Sequence, residues 1–310
     1  MAGKCTGEIP KKRGISLKGA LFHFDGVPLV LIYESKELHQ RGGVMDKEKL
    51  KKLGADPRFI SGIYNYCDRW CERCPFTSRC MNFELSEDEF SDPQTRDIEN
   101  EAFWNKLSET FQVTLELLKE MAEERGIDLD SIDYEESREE RELKDELAES
   151  NACCRAAKAY GGMVDDWFDS ARDMFGEAED EVDPVGPLGI PKERPDREET
   201  SLEQALEVIR WYQHQIWVKL MRAVRGEMED RWEELEEFPK DSDGSAKVAL
   251  IGMDRSIAAW GEVAAHLPVF KKDIMGIILH LERLRKNVEK EFPDARAFIR
   301  PGFDKVDLNG

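Results

Sequence analysis

The sequence predicts a mainly α-helical protein: a bundle of four to five long helices carrying an N-terminal β-hairpin and a four-cysteine metal module. Three observations carry this. Long stretches place apolar residues three and four apart, the spacing of a helix face. Asp25-Gly26 separates two short apolar runs, a hairpin signal. Four of the seven cysteines fall within 14 residues.

Residues 1–45 form the hairpin segment, with Ala20 to Phe24 and Val27 to Tyr33 as strands and a loop at Arg41-Gly42-Gly43. His23 alternates with bulky apolar neighbours and reads as an ordinary strand residue. Residues 46–97 are the cysteine module and an acidic connector. Asp46 caps a short helix to Leu53, Asp56-Pro57 opens another, and Glu84 to Asp92 is the connector. Residues 98–175 hold a long helical pair. The first helix, Ile98 to Glu124, has a stripe of Leu107, Phe111, Leu115 and Leu118. The second, Arg138 to Phe175, has Cys153, Ala157, Tyr160, Val164, Phe168, Ala171 and Phe175, interrupted by Gly161-Gly162.

Residues 176–200 contain four prolines among acidic residues, a density that no regular element survives. Residues 201–292 supply three more helices. The first starts at Ser201, with Gln204 completing the cap, and reaches Glu237. The second follows Asp243-Gly244-Ser245 and ends at Leu267 before Pro268. The third runs from Val269 to Glu291. Residues 293–310 read as an irregular tail.

With 310 residues the chain suffices for one large domain or two ordinary ones. A formal net charge of −21 repels phosphate backbones and argues against nucleic acid as a partner. No apolar secretory region follows the N-terminus, and the longest apolar stretch is too short to span a bilayer. A cytoplasmic protein without a membrane partner is expected. Crowded cysteines in such a chain point to metal or redox chemistry rather than disulfides.

The run Cys67-x3-Cys71-x2-Cys74-x5-Cys80 is the strongest motif. Positions i, i+4 and i+7 share a helix face, so Cys67, Cys71 and Cys74 are expected to point one way. Pro75 disfavours helix at Cys74 and turns the chain, so that Cys80 returns as a fourth corner. Four thiolates suit a [4Fe–4S] cluster, with structural zinc as the alternative. Arg69, Arg73 and Trp70 are candidates to surround the centre. The arginines would offset thiolate charge, and Trp70, with Tyr64, Tyr66 and Phe76, would shield it from water.

Cys71-x2-Cys74-Pro75-Phe76-x3-Cys80 resembles the last three ligands of the cluster loop in endonuclease III-type and adenine-type DNA glycosylases. It is also similar to the iron staple of RecB-like nucleases. The resemblance covers about 14 of 310 residues and implies only the ligand role of the four cysteines. The early position of the loop and the acidic charge set this chain apart from the glycosylases. Cys67, Cys71 and Cys74 also match the spacing of radical S-adenosylmethionine enzymes, but no strand–helix series for their barrel is present.

A di-iron site in the bundle would need Glu-x-x-His pairs, and none occurs. Weaker candidates are the pairs Glu207/His214, Glu262/His266 and Asp273/His280, which would make a metal or acid–base site if they converged. Gln213, in the stripe of Ile209, Ile216 and Leu220, needs a buried partner. The adjacent Cys153 and Cys154 cannot pair within a helix. The expected function is an iron–sulfur protein with a redox role and a redox protein partner. The alternatives are a scaffold in which the centre is purely structural, and a metal- or acid/base-dependent enzyme with its site in the bundle.

Overall fold

The computed structural model describes residues 47–90, 92–131, 133–175, 201–230 and 240–304. The predicted hairpin, the cap at Asp46, the proline-rich segment and the extension of a helix to Glu237 lie outside the described residues. Among the described residues there are nine α-helices and no strand. They are α1 (Lys47–Ala55), α2 (Met81–Glu89), α3 (Pro93–Arg96), α4 (Glu101–Glu124), α5 (Tyr134–Ser150), α6 (Ala152–Phe175), α7 (Ser201–Asp230), α8 (Asp241–His266) and α9 (Lys271–Glu291).

The core is a four-helix arrangement of α6 to α9. On α6, the predicted stripe from Cys153 to Ala171 is fully buried, and the helix runs through Gly161-Gly162 without interruption. Central to the arrangement is α7, which packs on α5, α6 and α8. Its buried side chains therefore extend well beyond the single stripe of Ile209, Ile216 and Leu220. An indole cluster links the layers: Trp167 meets Trp260 edge-on at 4.9 Å, and Trp260 donates to the Tyr160 hydroxyl at 3.2 Å.

Several expected boundaries move. The predicted helix from Arg138 to Phe175 is two helices. Asn151 adopts an extended conformation (φ −61°, ψ 140°), and its Oδ1 accepts from the Cys153 and Cys154 amides, ending α5 and capping α6. No helix starts at Asp56-Pro57; Asp56 accepts from Arg58 N and closes a turn. The acidic segment after Cys80 is helical, as α2. The helix expected after Asp243-Gly244-Ser245 begins earlier, at Asp241, with Gly244 inside its first turns. Gly244 is there for close approach rather than for a turn: a Cβ would lie 2.4 Å from Tyr66 Cε1 and 2.7 Å from Phe298 Cζ.

The stripe predicted on α4 is not buried in the bundle. Only Phe103 and Ala122 of that helix are buried, and Leu118 is half exposed. The main described partners of α4 are α1 and α3. Lys47 bridges to Glu116 and Glu120 at 3.0 and 2.6 Å. Among the described residues of the tail, 293–304, no regular helix occurs, and this segment folds onto the core through buried Ala295 and Phe298. No helix among the described residues is long and apolar enough to cross a membrane.

Candidate metal centre

The cysteine segment does not form the helix that the i, i+4, i+7 spacing predicts. It is a series of short 3-10 turns, Ile63–Tyr66, Cys71–Arg73 and Thr77–Arg79, separated by extended residues. Cys67 is extended (φ −100°, ψ 167°), and Arg69 is in the left-handed region (φ 55°), which no α-helix tolerates. Pro75 acts as expected: Cys74 before it is extended (φ −87°, ψ 121°). Cys80 then precedes α2 as its N-cap residue.

Despite the lost helix, all four thiols line one hollow of about 320 Å³, a volume that includes the solvent at its mouth. Ile63, Phe83 and Phe303 supply apolar wall. Gly302 (φ 79°) makes the turn that delivers Phe303. Burial pushes the Cys71 thiol up to about 12, and the charges of Cys67, Cys74 and Cys80 add to it, so Cys71 senses the other three. Burial also raises Cys67 and Cys74. Opposing it, the backbone N–H of Arg69 donates toward the Cys67 sulfur and that of Phe76 toward Cys74, favouring thiolate. Among the described residues, no three Cys, His, Asp or Glu side chains draw together as they would around a single metal ion.

The turns are held by the bundle rather than by a core of their own. Between two of the cysteines, Asp68 is the main anchor. Its carboxylate accepts from the Tyr212 hydroxyl at 2.6 Å and from Arg255 Nη1 at 2.5 Å, and its backbone carbonyl accepts from Trp211 Nε1 and Gln215 Nε2. Burial, reinforced by the Asp68 charge, holds the Tyr212 phenol well above its usual range, so it stays a donor. Arg222 donates to the Asn65 carbonyl at 3.1 Å, and both Arg222 and Tyr66 donate to Asp241. Lys219, buried on α7, favours the Cys67 thiolate by its charge. Trp211, Gln215, Lys219 and Arg222 follow one another at i, i+4, i+8 and i+11, so one polar stripe of α7 faces the cysteine turns.

No family model, curated protein or solved structure matches the chain. The site is therefore read from its own residues. Trp70 lines the hollow, is 4% exposed, and stacks on Trp211 with centroids 4.9 Å apart. Arg73 lies over the Trp70 ring at 4.2 Å and bridges to Glu207. Arg69 is exposed beside the hollow and favours the Cys67 thiolate. Phe76 meets Phe303 edge-on, Tyr64 lines the hollow, and Tyr66 packs on Phe298 as an anchor to the bundle.

The three acid–histidine pairs are engaged separately. Glu207 takes Arg73, while His214 lies against Gly161. His266 meets Glu262 and the Ser201 hydroxyl; His280 pairs with the Ala156 carbonyl at 2.8 Å. Gln213 is a buried-network residue: its Nε2 donates to the Gly161 carbonyl and to Asp165. Cys153 and Cys154 are buried free thiols. Sequence reasoning missed Asp68 and Lys219. The available signal was the row of donors on α7 beside its apolar stripe.

Proposed function

We propose that Cys67, Cys71, Cys74 and Cys80 hold a [4Fe–4S] cluster and that the protein exchanges electrons through it with a partner protein. The observation that supports the reading is that all four cysteines line one hollow, partly open to solvent. Bound there, the cluster would supply one-electron chemistry. The chain's own residues do the rest. The amides of Arg69 and Phe76 offset thiolate charge, as does Lys219. Trp70, Ile63, Phe83 and Phe303 keep water from the inner wall. The six described cysteines are free thiols, which suits a reducing, cytoplasmic setting.

Anaerobic purification followed by iron, sulfide and zinc analysis tests the proposal. The expected outcome is a coloured protein with a full cluster per chain, whose visible absorbance bleaches on reduction and returns on oxidation. Cys→Ser at any of the four positions is expected to remove or degrade it. A colourless protein with one zinc per chain defeats the proposal.

A second reading is favoured by one specific observation, the dependence of the turns on Asp68 and the α7 stripe. It treats the same centre as a staple that closes turns lacking a core. It predicts a cluster that does not cycle between oxidation states and whose removal unfolds residues 56–80 first.

A further inference from the structure

In a chain of net charge −21, one helix face is strongly basic. On α9, Lys271, Lys272, Arg283, Lys286 and Lys290 are all exposed, and no ion pair joins them to any other described residue. At about 100° per residue, these five fall within an arc of about 120°, opposite the buried Ile274, Ile277, Leu281 and Leu284; the two acids at the edge of the arc, Glu282 and Glu289, are taken up by Arg285 and Arg296. Met275 and Leu279, four apart and each 50% exposed, lie in the middle of the arc. An apolar pair ringed by cations is half of an interface, in which charge sets orientation and the apolar centre supplies burial.

The complementary half occurs on α5. Leu143 and Leu147 are also four apart, 56% and 48% exposed, and Glu136, Glu139 and Glu146 flank them on the solvent face. Both helices are long enough to lie along each other, about 26 Å for α5 and about 31 Å for α9. Among the described residues neither face is covered: α5 packs on α6 and α7, and α9 on α6 and α8.

The geometry points to the α9 face as a docking site for α5 of a second copy of this chain. Such a contact closes a two-fold dimer where both α9–α5 pairs form across one interface, and otherwise propagates into a ring or an open chain. It is independent of the metal centre.

Sedimentation of the full-length, metal-loaded protein across a wide concentration range, at low and high salt, tests it. Species larger than a monomer are expected at low salt, and are lost as salt screens the contact. Replacing Lys272, Arg283 and Lys286 together by Glu is expected to give a monomer, as is replacing Glu136, Glu139 and Glu146 together by Lys. Mixing the two variants restores association, because each then offers the charge that the other lacks. A helical circular-dichroism spectrum and retained metal confirm that both variants are folded, and Met275→Asp gives a second, single-site disruption. A wild-type monomer at every concentration and low salt overturns the inference. So does association that survives both charge reversals, or an α9 face that binds anionic vesicles or nucleic acid while the protein stays monomeric.

Discussion

Asp68 carries more of the site than its neighbours do. It ties the backbone between two cysteines to α7 and α8 through both its carboxylate and its carbonyl. Replacing it by Ala leaves the Tyr212 hydroxyl and Arg255 without their shared acceptor. A loss of about 2–3 kcal/mol in stability is expected from charge-assisted hydrogen bonds of this kind, read from urea unfolding. Poorer metal retention should accompany it; an unchanged urea midpoint with full metal would show that the turns stand without this anchor. Lys219 makes the complementary test. Lys219→Met removes a buried cation that favours the Cys67 thiolate. If a cluster is bound, its reduction potential should move to more negative values in voltammetry. That the four cysteines would come together around one hollow was legible from their dense spacing. Asp68 was not. An acid between two cysteines looks like solvated surface until Trp211, Tyr212, Gln215 and Arg255, remote in sequence, are brought to it.

At the scale of the element, α8 offers two glycines with opposite consequences. Gly244 meets Tyr66 and Phe298, whereas nothing lies within 4 Å of a Cβ built on Gly261. Gly244→Ala is expected to cost about 1–3 kcal/mol through overpacking. Gly261→Ala should stabilise by about 0.5–1 kcal/mol through lower chain entropy. Thermal unfolding of the two variants measures both, and a destabilised Gly261→Ala would contradict the open surroundings of that residue. The same helix shows what periodicity can and cannot reveal. Its apolar spacing marked the helix, but the start was misplaced because Asp-Gly-Ser is a turn signal in isolation. Here the glycine admits an aromatic ring. The cysteine turns failed in the reverse sense: i, i+4, i+7 spacing is necessary for a shared helix face but does not create one against Arg69 at positive φ. On α4 the stripe was read correctly as helical, but the pattern alone does not say what covers it.

Across the whole molecule, acid should weaken the ties of the C-terminal segment. Burial would raise the Asp304 carboxyl, but hydrogen bonds from Arg300 and Lys247 outweigh it and hold the group well below the usual carboxylate range. Asp254 is shifted the same way: burial opposes, and Arg296 and Arg285 prevail. Both folded values lie below the unfolded value of about 3.9, so the stabilisation is complete above that pH and is lost as pH falls through the folded values. The urea midpoint is expected to fall below about pH 4, and Asp304→Asn should flatten that fall. A midpoint with the same acid slope in wild type and variant would remove Asp304 from the account.

Phe303 gives the hollow part of its wall, although the four cysteines belong to the first third of the chain. During synthesis the thiols leave the ribosome long before the residue that closes over them. The nascent chain thus passes through a period in which the ligands are displayed and the wall is incomplete. The proposed cluster would have its widest access then, and C-terminal truncation before Phe303 should leave the hollow permanently as open as it was at that stage.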